Sequence, residues 1–498
     1  MMNQKERKKS ALKSVLLTLL FGVIFIFSVA AITVCAWYAT TFDLEFKELL
    51  YTLASPLKGT GESTVSLIVS TCVPPVCVCA VCFFIVAGIF WIPKRVFYYC
   101  RRIGATLCIF LLIGSLIFSS VALRLPAYLC ALMEKTTIYE DYYVDPDNVL
   151  ITSDGKTKNL IYIYLESMET TYASVEDGGN QHANFMPLLT ELAAQNVSFS
   201  DKAGQLGGFH TPLGTGWTMA ALLATTSGIP FSFSVGENGH NTMGQREKFA
   251  AGLTTLGDIL EDKGYAQMFL CGSDGDFGGR KNYFEQHGGY EVLDYYKAKE
   301  VGYIPPDYGV WWGYEDEILY NIARQELIKM AAGDQPFNFT MLTVDTHHVD
   351  GYVCDLCDDR WGNRLANVVN CADRQLAEFI AWCQEQDFYE DTAIVITGDH
   401  PRMDTTLVSE VEYDDRVIYN CFINAATEPK GAVSERVFTS FDIFPTTLAA
   451  MGFTIEGDRL GLGVNMFSDK ETLAEQMGYL TLQDEITKFS YYYIREFS

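Results

Sequence analysis

The stretch Asn159-Leu-Ile-Tyr-Ile-Tyr-Leu-Glu166-Ser167 decides the fold, because it is a continuous apolar run that ends in an acid. A second run of the same form, Thr392-Ala-Ile-Val-Ile-Thr-Gly-Asp399-His400, follows much later in the chain. Short apolar runs of this kind are typical of parallel strands that are buried on both faces. The carboxyl ends of parallel strands share one edge of the sheet, where ligand crevices lie. We therefore expect Glu166, Asp399 and His400 to converge.

Other apolar runs alternate with amphipathic segments around these two stretches. The predicted strands are Leu160–Leu165, Gln267–Cys271, Phe339–Val344, Ala393–Thr397 and Val417–Ile423. The predicted helices are Met186–Gln195, Thr255–Lys263, Glu315–Ala332 and Leu365–Gln386. Strands that alternate with helices predict an α/β fold with a mainly parallel central sheet covered by helices.

Three long apolar segments precede this pattern, at Val15–Tyr38, Val65–Ile92 and Ile103–Leu123. Each reaches the roughly 20 residues that a helix needs to cross a bilayer, and their central parts lack charged side chains. The first is longer than the apolar part of a cleaved signal peptide, and no small-residue cleavage site stands out. We expect three transmembrane helices, the first of them retained.

Basic residues indicate the orientation of these helices. Five of them precede the first apolar segment, and the short loop between the second and third contains four more. Those four are Lys94, Arg95, Arg101 and Arg102. By the positive-inside rule, the N-terminus is cytoplasmic and the chain after Cys130 lies outside the cytoplasm.

The net charge is divided unevenly along the chain. Residues 1–130 carry 12 Lys and Arg and 5 Asp and Glu, and since the whole chain has a net charge of −26, the part after residue 130 carries −33. So acidic a domain does not bind nucleic acid by neutralising phosphates. It is also repelled by anionic lipid unless it has a local basic groove.

Cysteines form one cluster in the sequence outside the apolar segments, at Cys354, Cys357 and Cys371. Disulfides form and persist outside the cytoplasm, so we expect Cys371 to pair with Cys354 or Cys357. A zinc site would need a fourth ligand at finger-like spacing, and the sequence does not supply one.

The acids at the two strand ends suggest a metal site. Together with His400, Glu166 and Asp399 form a mixed oxygen and nitrogen donor set that suits manganese, zinc or, more weakly, magnesium. Either acid alone could equally cap a helix or face solvent at the rim of the sheet. The sequence Gly-Asp-His after one strand and Glu after another favours the metal interpretation.

Thr218 is the candidate nucleophile. It follows Gly214-Thr-Gly-Trp and precedes the helical run Met219–Thr226. Glycines let the backbone approach a phosphate, and a helix N-terminus offers free N–H groups and a positive dipole end. An alcohol is a poor nucleophile at neutral pH, so it needs activation, most simply by metal coordination. The structural alternative is that Thr218 is an ordinary helix cap.

Two further loops follow apolar strands and should enter the same crevice. Thr343-Val-Asp-Thr-His347-His348 offers His347 as a phosphoryl ligand or general acid and base. Ser273-Asp274-Gly-Asp-Phe-Gly-Gly-Arg280 offers Arg280, whose guanidinium can fork onto a phosphate, with Asp274 beside it. A structural histidine and a solvated loop arginine are the alternative interpretations.

The order of these motifs resembles the lipoteichoic acid synthase and phosphoglycerol transferase family. It looks closest to the glucan phosphoglycerol transferases, and the similarity covers about residues 158–468. The matching motifs are Tyr-Leu-Glu-Ser at 164–167, Gly-Thr-Gly-Trp-Thr at 214–218, Asp-Thr-His-His at 345–348 and Leu-Gly-Leu-Gly at 460–463. Two features depart from lipoteichoic acid synthases: Gly278-Gly279 precedes Arg280 where an aromatic residue and Asn are expected, and three transmembrane segments replace five.

This resemblance implies an alkaline-phosphatase-like, sulfatase-like catalytic domain and one metal, usually Mn²⁺, with Mg²⁺ or Zn²⁺ possible. Its ligands would be Glu166, Thr218, Asp399 and His400. Thr218 would take glycerol phosphate from phosphatidylglycerol and pass it to an extracytoplasmic glycan or glycopolymer. His347, Arg280 and Asp274 would bind the substrate.

The resulting expectation is a multi-pass enzyme of the plasma membrane with three parts. They are a membrane anchor at 1–130, a connector at 131–158 and an extracytoplasmic catalytic domain at 159–498. The alternatives are a phosphoethanolamine transferase, another sulfatase-like phosphodiesterase, or an inactive polymer-binding scaffold. A true sulfatase is disfavoured because the Cys/Ser-x-Pro-x-Arg nucleophile motif is absent from the sequence.

Overall fold

The computed structural model describes most of the chain. The described residues are 4–42, 46, 49–50, 62–90, 97–153, 155, 157–232, 249–347 and 349–497. Contacts divide the chain into two units, residues 1–46 with 61–130, and residues 47–60 with 131–498. Lys94, Arg95 and His348, which the sequence analysis used, lie outside the described residues.

The first unit consists of long apolar helices. They are Gln4–Thr41, Glu62–Phe90 and Phe97–Ala122, followed by the short helix Leu125–Ala131. Within them, Val15–Thr41, Ser66–Ile89 and Arg102–Ala122 are long and apolar enough to cross a membrane. These spans confirm the three predicted segments to within a few residues. Apolar side chains such as Leu107 and Ile117 are each 62% exposed, as expected of a surface that faces lipid.

The second unit contains a six-stranded sheet. Its strands are β2 (Asn159–Leu165), β3 (Ala266–Cys271), β4 (Glu291–Leu293), β5 (Phe337–Leu342), β6 (Thr392–Gly398) and β7 (Asn420–Ile423). Across the sheet, the strands lie in the order β4-β3-β5-β2-β6-β7. Four of the five strand pairs are parallel, and only β6 with β7 is antiparallel. Two small antiparallel ribbons pair β1 (Ile151–Thr152) with β8 (Thr454–Ile455) and β9 (Arg459–Leu460) with β10 (Gly463–Val464). The predicted α/β fold with a mainly parallel sheet is confirmed.

The predicted strand Phe339–Val344 begins and ends two residues earlier in the structure, and two other strands of the large sheet differ more from the prediction. The predicted strand Val417–Ile423 is shorter, because Ile418 bridges to Phe209 and Glu169 instead of joining the sheet. The three-residue β4 was not predicted, since so short a run gives no clear pattern.

Helices cover both faces of the sheet. Those of ten residues or more are Thr218–Ser227, Asp316–Ala331, Arg364–Gln384 and Ser440–Ala450. The shorter α-helices of this unit are Ile138–Tyr142, Pro187–Gln195, Leu256–Asp262, Arg280–Gln286, Tyr295–Glu300, Leu473–Met477, Tyr479–Thr487 and Tyr491–Phe497. Alternate residues of β2 face two separate cores: Tyr162 and Tyr164 lie in one, and Ile161 and Ile163 in the other. Burial on both faces explains why the strand lacks polar alternation.

Candidate active site

The ends of β2 and β6 place two acids side by side. Tyr164 pairs with Thr397 and Leu165 with Gly398. Glu166 and Asp399 therefore follow directly after paired residues at the carboxyl ends of the two strands. Ser167 has a left-handed backbone (φ 51°), and its N–H donates to Asp399 Oδ1 over 2.8 Å. Its hydroxyl donates to Glu166 Oε1, also over 2.8 Å. Glu166 and Asp399 are 2% and 0% exposed, which excludes the alternative that they solvate a rim.

Thr218 lies at the start of the helix Thr218–Ser227, whose residues after Thr218 are all buried. Trp217 occupies the cap position, and no side chain caps the helix. The Thr218 hydroxyl lies 3.3 Å from Glu166 Oε2, to which it donates, and 3.4 Å from His400 Nε2. Thr218 is therefore the first helical residue with its hydroxyl directed at the acids, and the alternative that it is an ordinary cap is wrong.

The orientation of the His400 ring is fixed by one hydrogen bond. Its Nδ1–H donates to the Pro401 carbonyl over 2.8 Å, because a carbonyl can only accept. The other ring nitrogen, Nε2, therefore carries the lone pair in the neutral form. It lies 3.5 Å from Glu166 Oε1 and 3.3 Å from Asp399 Oδ2. A lone pair that faces two carboxylates and a hydroxyl is suited to bind a cation.

The donor atoms of Glu166, Asp399 and His400 all lie within 4.8 Å of one another. Four separations are 3.3–3.5 Å: those of the Thr218 hydroxyl to Glu166 and His400, and those of His400 Nε2 to Glu166 and Asp399. Ligands at the usual ~2.1 Å from Zn²⁺ in a tetrahedral site are about 3.4 Å apart. Asp399 Oδ2 is buried and accepts no hydrogen bond from the residues that the structure describes. This spacing and the buried acceptor fit a divalent cation.

The pKa values of Asp399 and Glu166 also support a cation site. Burial and the neighbouring Glu166 raise the pKa of Asp399 to about 7. Burial also acts to raise the pKa of Glu166, but the charges of His347 and His400 outweigh it and lower that pKa. Two adjacent carboxylates oppose each other's ionisation, and a bound cation removes that opposition.

Arg280 is buried and held by its own loop. Its Nε donates to the Phe277 carbonyl over 3.1 Å, and its Nη2 donates to Ser273 Oγ and the Asp274 carbonyl over 3.0 and 2.7 Å. The Asp274 carboxylate accepts the N–H of Asp276 over 3.0 Å and so shapes the turn. Arg280 also contributes to the lowered pKa of Glu166. The substrate-binding roles of Arg280 and Asp274 stay predictions.

His347 follows β5 and is half-buried. It directly follows Thr346, whose hydroxyl donates to the Glu166 carbonyl, and its charge acts to lower the pKa of Glu166. Its ring packs against Trp312, with 4.5 Å between ring centroids. The geometry allows the predicted contact with a phosphoryl group, which stays a prediction.

A buried charge network behind the acids was not predicted. Arg416 donates two hydrogen bonds to Glu169, over 2.9 and 2.6 Å, and a third to the Arg402 carbonyl. Arg402 pairs with Asp404 and donates to the Thr346 carbonyl over 2.9 Å. The Thr346 hydroxyl in turn donates to the Glu166 carbonyl. The network ties the loops after β2, β5 and β6 together. No motif in the sequence signals it, because its members are up to 247 residues apart.

Three cysteines form a second group of potential ligands. Cys354 Sγ lies 3.6 Å from Cys357 Sγ and 3.7 Å from Cys371 Sγ. All three are free thiols in the structure. They are therefore near enough for either expected disulfide, and the pairing stays a prediction.

Comparison with known proteins shows which family the chain is similar to. The family model described as Sulfatase matches residues 158–453. A relative named phosphoglycerol transferase I from Salmonella choleraesuis is 28% identical over 433 residues, which are 84% of this chain and 52% of that protein. The protein of the same name from Xanthomonas axonopodis is 29% identical over 285 residues, 56% of this chain and 39% of that protein. The chain thus spans about half or less of these relatives' length.

Solved structures are more distantly similar. The lipoteichoic acid synthase LtaP from Listeria monocytogenes is 20% identical, with a TM-score of 0.49 over 64% of this chain and 79% of that chain. Lipooligosaccharide phosphoethanolamine transferase A from Neisseria meningitidis is 16% identical, with a TM-score of 0.49 over 88% and 84% of the two chains. TM-scores below 0.5 do not establish a shared fold. The family model does cover more than half of the chain, including the Glu166, Thr218 and Asp399-His400 segments, and the chain therefore belongs to the sulfatase family.

Proposed function

We propose that the protein is a membrane-bound phosphoglycerol transferase. It would move glycerol phosphate from phosphatidylglycerol to an extracytoplasmic glycan or glycopolymer, through a covalent intermediate on Thr218. One observation carries the proposal: the Thr218 hydroxyl lies 3.3 Å from Glu166 Oε2 and 3.4 Å from His400 Nε2, at the N-terminus of a buried helix. The names of the relatives and the three apolar helices support it.

In the first step, the Thr218 oxygen attacks the phosphorus of the lipid, and the bond from phosphorus to the diacylglycerol oxygen breaks. Glu166 Oε2 already accepts the Thr218 hydrogen bond and can hold the proton. A lowered pKa keeps Glu166 ionised for this task. His347 would protonate the departing diacylglycerol oxygen.

In the second step, a hydroxyl of the acceptor attacks the same phosphorus and gives its proton to His347, which lost one in the first step. The Thr218 oxygen then leaves and takes back its proton from Glu166. Arg280 would pair with the phosphoryl oxygens in both steps, as its anchored guanidinium is preorganised. Glu166, Thr218, Asp399 and His400 would hold a divalent cation. The cation would lower the pKa of the Thr218 hydroxyl and offset the negative charge of the phosphoryl group. Mn²⁺ is our first candidate, with Mg²⁺ or Zn²⁺ as alternatives. The catalytic domain is proposed to lie outside the cytoplasm, where such acceptors are found.

Mass spectrometry of the Thr218 peptide tests this proposal. The full chain in detergent is incubated with Mn²⁺ and phosphatidylglycerol, without acceptor. We expect one glycerophosphoryl group on Thr218 and release of diacylglycerol, since covalent catalysis separates the two steps. Thr218→Ala should abolish both, whereas Thr218→Ser should retain loading. Loading by phosphatidylethanolamine in place of phosphatidylglycerol would contradict the proposal and favour phosphoethanolamine transfer.

A further inference from the structure

Aromatic side chains from three separate loops meet beside His347. Trp312 packs on His347 and on Phe277, with centroid distances of 4.5 and 5.6 Å. Trp311 lies 6.0 Å from His347 and 6.0 Å from Tyr352. The planes of the Trp311 and Tyr352 rings are nearly parallel, at 18°. These four aromatic residues, Phe277, Trp311, Trp312 and Tyr352, form an aromatic wall.

The aromatic wall adjoins the residues proposed to hold the phosphoryl group. At one end, the Arg280 guanidinium lies 5.7 Å from the centre of the Phe277 ring. At the other, His347 directly follows Thr346, whose hydroxyl donates to the Glu166 carbonyl. Phe277, Trp311, Trp312 and Tyr352 are each half-buried, so part of the aromatic wall is accessible to solvent.

The position of Trp311 in the chain is unusual for so large a residue. Val310 and Gly313 exchange two backbone hydrogen bonds, of 2.9 and 2.8 Å, so Trp311 and Trp312 are the central residues of a tight turn. Two-residue turns favour Gly or Asn wherever a central residue has a positive φ. Trp311 has φ 43° and is strained there. Strained backbone at a residue other than Gly or Asn is typical of functional sites, so we take Trp311 as a candidate binding residue.

We propose that the aromatic wall is the acceptor subsite, and that a neutral pyranose ring of the glycan stacks on Trp311 and Tyr352. This inference rests on the proposed function. The C–H groups on the face of a sugar ring carry partial positive charge and meet the negative face of an aromatic ring. Stacking of this kind places a ring hydroxyl within reach of a phosphoryl group that His347 and Arg280 hold.

The charge of the domain supports a neutral acceptor. The chain after residue 130 carries a net charge of −33, which would repel an anionic polymer unless basic side chains received it. The aromatic wall binds through ring faces, which require no charge on the sugar. A neutral glycan is therefore the occupant that the surface favours.

Substitution of Trp311 by glycine gives a direct test, because glycine removes the ring and adopts the left-handed turn without strain. The full chain in detergent is loaded with phosphatidylglycerol, and transfer to cellotetraose, a neutral glucose oligosaccharide, is then followed. We expect Trp311→Gly to raise the KM for cellotetraose by about three- to tenfold, the worth of one aromatic contact. Its melting temperature should be equal to or higher than that of the wild type.

A merely structural role for Trp311 would lower the melting temperature, and that result would overturn the inference. Tyr352→Ala should raise the KM as well, whereas Tyr296→Ala, at a tyrosine that is 50% exposed and not part of the aromatic wall, is the matched control. A wild-type chain that loads Thr218 but transfers nothing to cellotetraose also overturns the inference. Failure of the loading step itself would instead contradict the proposed function, so the two failures are distinguishable.

Discussion

Glu166 offers the sharpest test of the metal at the scale of one residue. Glu166→Gln keeps the shape of the side chain but removes the charge that a cation needs. We expect this variant to lose bound Mn²⁺ and diacylglycerol release, while the melting temperature without metal stays within a few degrees of wild type. Metal content per chain after dialysis, measured by mass spectrometry, checks the prediction.

Asp373→Asn is the matched control, because Asp373 is also a buried acid but belongs to another part of the fold. It should bind Mn²⁺ as the wild type does. Asp399→Asn should behave like Glu166→Gln; alanine is avoided at Asp399, since its Oδ1 accepts the N–H groups of Ser167 and His400. Full metal content in Glu166→Gln would show that the assigned ligand is wrong.

The sequence predicted which side chains converge but not how they are held. Glu166, Thr218, Asp399 and His400 were visible because each follows a strand or begins a helix, and topology brings such positions together. The supporting contacts use backbone atoms and buried ion pairs, such as Arg416 with Glu169. Pairs of this kind leave no periodic pattern in the sequence, so only the folded chain shows them.

At the scale of secondary structure, Asp373 links two helices. It lies on the helix Arg364–Gln384, and its carboxylate accepts the N–H groups of Leu188 and Leu189 at the start of the helix Pro187–Gln195. Burial raises the pKa of Asp373 to about 6. The folded chain therefore holds this proton at a higher pH than the unfolded chain, whose Asp pKa is about 3.9.

From this shift, the contribution of Asp373 to the free energy of unfolding should decrease as pH rises from about 4 to about 6, and then stay constant. Asp373→Asn lacks this titration. We expect the difference in melting temperature, wild type minus variant, to decrease between pH 4.5 and pH 7. Glu378→Gln, at an exposed acid on the same helix, should show no such change. A constant difference for Asp373→Asn would contradict the prediction.

The expected disulfide would join Cys371, in the helix Arg364–Gln384, to the loop before that helix. Cys371 Sγ lies 3.7 Å from Cys354 Sγ, and the sulfur atoms of Cys354, Cys357 and Cys371 all lie within 4.8 Å of one another, so either expected bond is within reach. We expect protein purified without reductant to show one free thiol among the three, with Cys371 oxidised. Closing the 354–371 loop would add on the order of 3 kcal/mol of stability in the chain-entropy model.

Thiol labelling followed by peptide mapping distinguishes the outcomes. Three labelled thiols at these positions would remove the disulfide prediction. In that case, retention of Zn²⁺ by the unlabelled protein should be tested, because the three sulfur atoms lie close enough to share an ion.

At the scale of the whole molecule, the connector after residue 130 belongs to the second unit. Lys135 bridges to Phe489, and the Thr136 hydroxyl donates to Glu485 over 2.6 Å. Tyr139 is 2% exposed and packs on Tyr493 at a centroid distance of 5.3 Å. A polar linker would make none of these contacts, so the connector acts as part of the domain.

A fragment of residues 131–498 should therefore be folded and more stable than one of residues 143–498. Burial of an aromatic side chain such as Tyr139 is worth about 1.5–3 kcal/mol, so its loss should lower the melting temperature by several degrees. Thermal denaturation of the two fragments checks this prediction. Equal melting temperatures would show that the connector contributes nothing to the domain.

The strand order has a consequence for synthesis of the chain. β2 is the first strand of the sheet to leave the ribosome, yet it lies between β5 and β6. Its Leu160 cannot pair with Asn338 and Ala393, its partners on either side, until those residues have been synthesised. At ~5–20 residues per second, Asn338 follows Leu160 by roughly 9–36 s and Ala393 follows it by roughly 12–47 s. During that time an apolar strand has two unpaired edges, a state that invites aggregation. The emerging chain must therefore keep β2 from pairing with other chains until its partner strands exist.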